Sequence, residues 1–241
     1  MNPLSLLAAL STSALGQQTD ACEHIKLREL VSDPGPGVLF LGERHGVRKD
    51  LSRAYRIVNK LSHLGPVTLG LEAVPAAQQS VLDRLSLGRL PFETLPEALD
   101  WDNDWGYSFS TYERLLKLYD RDEITLVGVG QPLQLRPEEA SVPLPPGYAM
   151  VLADTMGDGP IPVELESRLV QTVAWHDHRI ATSALEGWGG RGWLVVVVDR
   201  NWLEGGLGVA WQATRLTEAP VSAALLADAG TRCYRGDRVI K

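Results

Sequence analysis

Residues 38–46 read VLFLGERHG and residues 67–74 read VTLGLEAV. Each is an aliphatic run with no charge until a glutamate closes it, Glu43 in the first and Glu72 in the second. A strand that is apolar at consecutive positions is buried on both faces, as in a parallel sheet covered by helices. ITLVGVG (124–130) and WLVVVVD (193–199) repeat that character, and AMVLADT (149–155) is a further candidate strand. Between the first two strands lies VRKDLSRAYRIVNKLSHL, where Leu51, Ala54, Tyr55, Val58 and Leu61 recur at three and four while Arg48, Arg53, Arg56 and Lys60 fall elsewhere. That spacing predicts an amphipathic helix. Strand, helix and strand joined by short Gly- and Pro-containing connections imply a right-handed crossover, so the fold class is α/β: a parallel sheet flanked by helices.

Outward from this unit, residues 76–121 contain two or three helical segments and no strand, which predicts a smaller helical lobe inserted within a single domain spanning residues 1–241. Residues 163–187 predict a long helix, opened beside Pro162 and closed at Gly187. NWLEGGLG (201–208) reads as a loop, PVSAALLADAG (220–230) as a last helix and TRCYRGDRVIK (231–241) as an edge strand.

The chain has 241 residues, is 44% hydrophobic and 22% charged, and carries a net charge of −7. Disordered and disulfide-scaffold classes are excluded by that balance, and nucleic acid is not an expected partner of a chain lacking an excess of Lys and Arg. The longest aliphatic run, residues 194–198, is far short of the ~20 residues a membrane span needs, so no transmembrane segment is expected. MNPLSLLAALSTSALG (1–16) has a short apolar stretch but no basic flank, the first basic residue being Lys26. It reads as a docking helix in a cytoplasmic protein, with a weak export signal as the other reading. Thr19 and Asp20 argue against lipidation at Cys22. Cys22 and Cys233 pair in an oxidising compartment or remain free thiols in a reducing one, and composition does not choose.

Two strands that break at a carboxylate direct attention to the carboxyl edge of the sheet, where ligands of open α/β proteins bind. His45 lies two residues past Glu43, on the same side if the backbone stays extended, so Glu43, His45 and Glu72 can face one crevice. That set suits general acid/base chemistry or a metal; the plain alternative is a helix cap with a histidine partner. Asn201 follows the fourth strand and offers an amide that can orient a ligand. DWDNDWGYSFSTY (100–112) is rich in aromatic residues, with Trp105, Tyr107 and Tyr112 able to cover a flat apolar ligand or to pack the lobe onto the sheet. As a calcium loop it fails, since its glycine is one place late and Thr111 stands where a glutamate is required. His176 and His178 are two apart on a helix and do not share a face, so no metal site is assigned to them. GWGGRG (187–192) follows a helix and precedes a strand, the reverse of a dinucleotide-binding turn. No nucleophile motif is present.

Together, VLFLGERHG, LGLEAVPAAQQSVLDRLSLG, DWDNDWGYSFSTYERLL, VQTVAWHDHRIA and VVVVDRNWLEGGLGV resemble the haem-binding uptake proteins of the ChaN type. These share a superfamily with Tiki and TraB proteins and are related to erythromycin-esterase-like enzymes. The resemblance implies a parallel α/β domain with a helical lobe, haem as cofactor or cargo at an apolar surface, often between two subunits of a homodimer, and a role in iron acquisition. The family's motifs fall on Gly42, Glu43 and His45, on Glu72, on Trp105 and Tyr112, and on Gln171 and Asp177. The chain departs from the pattern at the last strand, where Val198 and Asn201 replace a glycine and a histidine. Two functions follow. In the first, a haem binder, Tyr107, Tyr112, His176 or His178 ligates iron, Trp105 walls the macrocycle, and Arg44, Arg48 or Arg53 meets the propionates. In the second, a hydrolase, His45 is the general base, Glu43 or Glu72 orients it, and Asn201 holds substrate. An inert relative with a purely structural crevice is the third possibility.

Overall fold

Leu39 and Leu41 are buried on one face of their strand and Val38 and Phe40 on the other. The same alternation divides Val195 and Val197 from Leu194, Val196 and Val198. Each uninterrupted apolar run thus serves two cores, and every buried Val or Leu contributes roughly 1.5–3 kcal/mol. The computed structural model describes residues 18–19, 22–31, 35–132, 141–156, 163–226, 233–234 and 237–240.

The strands are β1 (Gln18–Thr19), β2 (Glu23–His24), β3 (Val38–Glu43), β4 (Val67–Pro75), β5 (Ile124–Gly130), β6 (Trp193–Asp199), β7 (Val221–Leu226), β8 (Cys233–Tyr234) and β9 (Arg238–Ile240). A seven-stranded, all-parallel sheet runs in the order β2-β9-β7-β3-β6-β4-β5, and β1 pairs antiparallel with β8. The helices are α1 (Leu27–Val31), α2 (Arg48–Ser62), α3 (Gln79–Ser86), α4 (Leu95–Ala98), α5 (Trp101–Asp104), α6 (Phe109–Leu116), α7 (Tyr148–Met156), α8 (Val163–Trp188) and α9 (Val209–Thr214). One sheet face packs on α2 through Leu51, Ala54, Val58 and Leu61 and on the helices between β4 and β5 through Leu82, Leu95, Trp101 and Leu115. The other packs on Ile180, Ala181 and Ala184 of α8 and on Val209 and Ala213 of α9. The fold is therefore α/β with a parallel sheet, as expected.

The chain leaves β3 for α2 on one face and leaves the adjacent β6 for α9 on the other. Opposite departures from neighbouring strands open a crevice at their carboxyl ends. Glu43 and Asp199 are register partners at that spot.

Several expectations are corrected. Residues 149–155 belong to helix α7, not to a strand, because Tyr148, Val151 and Leu152 bury one face at helical spacing against Val170 and Val173 of α8. Residues 221–226 form β7, not a helix, because they pair with β3 along Val38–Gly42; an alanine-rich run has no strong strand signature of its own, and tertiary pairing decides. In the C-terminal segment β9 is internal, with β2 outside it. The predicted loop after β6 contains two tight 3-10 turns, Arg200–Trp202 and Glu204–Gly206. Arg53 is buried, its guanidinium paired 3.2 Å from Asp50 Oδ1 rather than lying on a solvated face. Cys22 and Cys233 form a disulfide. The expectation for residues 1–16 lies outside the described residues. Among the described residues no helix is long and apolar enough to cross a membrane.

Candidate functional site

β3 ends at Glu43, and the chain turns at residues 44–47 before α2 begins. It is this turn, not continued extension, that carries the His45 imidazole back over the strand end. His45 Nδ1 lies 2.7 Å from Glu43 Oε1, and Nε2 lies 3.3 Å from Asp199 Oδ2. The Tyr112 hydroxyl donates to the same Glu43 oxygen at 3.0 Å and accepts from the Gly46 N–H at 3.1 Å. Glu43 Oε2 is buried with no hydrogen-bond partner among the described residues.

Glu72 stands behind this cluster. Its Oε2 accepts from the Asp199 backbone N–H at 2.6 Å and its Oε1 from the Trp202 indole N–H at 2.7 Å. Burial pushes the Glu72 carboxyl up to about 7, partly offset by the charge of His45. Glu43 is also raised, again by burial, against the hydrogen bond and charge of His45. For His45, burial acts to lower the pKa, but the Glu43 hydrogen bond and the charges of Glu72, Asp199 and Glu43 outweigh it and raise it. Both ring nitrogens face carboxylates, an arrangement that favours the protonated ring and links the ends of β3 and β6. The Tyr112 hydroxyl, buried and beside the Glu43 charge, is held protonated.

Glu43, His45 and Glu72, from neighbouring segments, are thus gathered at one strand edge. Trp105 and Tyr107 join them, their rings 4.5 and 5.3 Å from that of His45. Tyr107 is 42% exposed, whereas Tyr112 is buried. Beside them an open cleft of about 340 Å³ is lined by Ala73, Pro75, Ala77, Trp105 and Pro132, with Glu72 also on its wall. Asn201 reaches the same edge but is exposed, and its hydrogen bond into the site comes from its backbone N–H, donated to Asp199 Oδ1 at 2.7 Å.

The two helix histidines part company. His176 is buried with its ring 4.8 Å from that of Trp202 and Nε2 3.1 Å from the Gln131 carbonyl oxygen; burial lowers it to about 4, so it is neutral. His178 stacks on Trp175 and shares no hydrogen bond or ring contact with the cluster among the described residues. Arg44 is fixed by Asp50, with Nε 2.8 Å from Oδ2 and the terminal nitrogen 2.9 Å from Oδ1. Asp177 is buried, accepts a hydrogen bond from the Tyr148 hydroxyl and is raised well above the carboxylate range by burial. Among the described residues no group of three or more His, Cys, Asp or Glu is arranged to hold a metal ion.

Sequence reasoning missed Asp199 and Trp202. The signal for Asp199 was present: β6, like β3 and β4, is an aliphatic run that breaks at a carboxylate. Trp202 had none, since only the turn after β6 aims its indole at Glu72.

These features define a parallel α/β protein with a carboxylate-imidazole cluster and an aromatic lip at its sheet edge. Residues 35–138 match the family described as haem-binding uptake, Tiki superfamily, ChaN, the one that the sequence resembles. In fold the chain is similar to ChaN of Campylobacter jejuni, whose solved structure is described as showing cofacial haem binding, with 14% identity and a TM-score of 0.56 over 88% of this chain and 93% of that one. It is also similar to the type III effector HopBA1, with 12% identity and a TM-score of 0.50 over 85% of this chain and 87% of that one. No curated protein matches the sequence.

Proposed function

We propose that the protein binds haem at the aromatic lip of the sheet edge, with Tyr107 as the iron ligand, and that this binding serves iron acquisition. The observation that carries the reading is the state of the four candidate ligands. The Tyr112 hydroxyl is engaged by Glu43 and Gly46, the His176 ring is buried on Gln131 and Trp202, and His178 lies apart on Trp175. Tyr107 is the candidate whose ring is both exposed and in contact with the cluster. A phenolate is an established haem ligand, and a porphyrin needs an apolar wall beside it. Trp105, Ala73, Pro75 and Pro132 supply that wall, so the residues present fit the group. Haem is the cargo in this reading, held and passed on.

Arg48, exposed at the start of α2, is the basic group for a propionate; Arg53 is buried and Arg44 is committed to Asp50. An open cleft of this size covers part of a macrocycle, and a second copy of the chain closes the remainder in a homodimer. Residues 76–121 act as the inserted lobe that brings Trp105, Tyr107 and Tyr112 to the sheet. The hydrolytic reading is the weaker one, because a general base needs a ring nitrogen with a free lone pair and both nitrogens of His45 are turned to carboxylates.

The test is a titration of purified protein with haemin, followed in the Soret region and by sedimentation. Binding by the wild type, a loss of at least about tenfold in affinity for Tyr107→Phe, and retention in Tyr112→Phe are expected. A wild-type protein that leaves the haemin spectrum unchanged, or a Tyr107→Phe variant that binds equally, overturns the assignment.

A further inference from the structure

The two flanks of the sheet are finished differently. β5 turns the main-chain groups of Leu126 and Gly128 outward, and the Gln79 side chain takes both: its amide nitrogen donates to the Leu126 carbonyl at 3.1 Å and its amide oxygen accepts from the Gly128 N–H at 2.8 Å. A single side chain thereby stands in for a missing strand, which is how exposed edges are blunted.

Among the described residues β7 has no such cover. It pairs with β3 along its length, from Val221 opposite Val38 to Leu225 opposite Gly42, but with β9 only at Leu225 and Leu226. The Pro220 carbonyl accepts from the Val38 N–H at 2.8 Å. In a parallel strand the main-chain groups alternate sides, so those of Ser222 and Ala224 also face β3 and those of Val221 and Ala223 face away from it. There an open cleft of about 260 Å³ runs along the strand, lined by Val221, Ser222, Ala223, Ala210, Trp211 and Arg238. Among the described residues, roughly 10 Å of ladder is left unpaired at ~3.3 Å per residue, in line with β9 and ahead of it.

Among the residues lining this cleft the charged one is Arg238, exposed at its rim. Trp211, also on the lining, has the Arg215 guanidinium 5.1 Å from its ring centre. Asp237 does not neutralise them, because its carboxylate is buried and accepts from the Gly205 and Tyr234 N–H groups. Glu218 is exposed in the turn that precedes β7.

We infer that the open half of β7 is a docking site for an extended peptide bearing a carboxylate. The peptide adds as a strand to Val221 and Ala223, beside β3 and in line with β9, and places its acidic group on Arg238. Main-chain pairing supplies the binding and the arginine supplies the choice of sequence. In a chain of net charge −7 a cleft whose rim carries an arginine is the complement of an acidic partner.

The experiment uses the full chain and three synthetic probes, Ac-VTVEVT-NH2, the same peptide with lysine for glutamate, and the first peptide N-methylated at alternate residues, with binding followed by calorimetry. The acidic peptide is expected to bind, and the lysine and N-methylated peptides to lose at least about tenfold in affinity. Arg238→Glu should reverse the preference between glutamate and lysine. Ala223→Pro removes only an outward N–H, which an edge position tolerates, and should abolish binding with the melting curve retained. The N-methylated peptide keeps the test valid if that variant does not fold. No binding of the acidic peptide at about 1 mM, or equal binding of the N-methylated one, overturns the proposal. So does a chain that self-associates through β7, dimeric as wild type and monomeric as Ala223→Pro, without taking up the peptide.

Discussion

The Asp199 carboxylate stands 3.3 Å from Nε2 of His45, on the opposite side of the ring from Glu43. The two residues reach each other because β3 and β6 are adjacent and in register, with Glu43 opposite Asp199. Asp199 also accepts the Asn201 N–H as the cap of the following turn, so one carboxylate holds both the charge state of the imidazole and the backbone that leaves β6.

Asp199→Asn should therefore lower the pKa of His45, since the amide keeps the cap but removes a charge that favours the imidazolium. Nuclear magnetic resonance titration of the His45 ring checks this, and an unchanged midpoint refutes it. Asp199→Ala should cost about 1 kcal/mol more than Asp199→Asn in a denaturant melt, because the cap is lost as well.

Stability should fall as the pH rises from about 6.5 to 8. Glu72, at about 7 against an ordinary 4.5, binds a proton more tightly folded than unfolded, so the stability it confers is complete below its unfolded value and is lost as pH rises through about 7. That stability declines progressively from about pH 4.5, so most of its roughly 3 kcal/mol is gone by 6.5 and about 1 kcal/mol is lost above it. His45 and Asp177, both raised, act in the same direction. His176, lowered to about 4, gains stability as pH rises, but only up to its unfolded value of 6.5, so it does not oppose the fall above that point. Thermal midpoints measured across this range should decline, and the decline should flatten in Glu72→Gln.

Gly46→Ala should weaken haem binding without touching a ligand atom. Gly46 has φ of 73°, a left-handed conformation, and a Cβ there would stand 2.7 Å from the Tyr107 ring. The strain costs about 1–3 kcal/mol and the ring must move. A lower melting temperature together with a weaker Soret titration is the expected pair of results. Full haemin affinity in a folded Gly46→Ala protein would separate Tyr107 from the site.

Reducing the disulfide, or replacing Cys22 and Cys233 by serine, should lower the free energy of unfolding by about 2–5 kcal/mol, since the bond closes a loop across a sequence separation of 211. Urea melts with and without reductant measure it. The loss should be felt first at β2, β8 and β9, where Cys22 adjoins β2 and Cys233 lies in β8.

Strands β3, β4, β5 and β6 were legible because a strand covered on both faces has to be almost continuously apolar, and few other local structures demand that of six or seven residues. Helix α2 was legible from its spacing, except at Arg53, whose burial depends on Asp50 lying within reach one turn before it. β7 and α7 were exchanged in character: Ala223 and Ala224 suit a helix locally, and Val151 and Leu152 suit a strand. Sheet pairing with β3 settled the first and packing on α8 the second.

By itself the sequence determined that carboxylates close the central strands and that a histidine follows one of them, because chain order and side-chain chemistry are written there directly. It did not contain the neighbour relation between β3 and β6, which lie 156 residues apart at their ends, Glu43 and Asp199. That relation sets His45 between two carboxylates and Glu72 under the Asp199 N–H, while the short register of β9 leaves half of β7 without a partner among the described residues. Each depends on which distant segments share an edge, and that follows from how two apolar faces are covered at once.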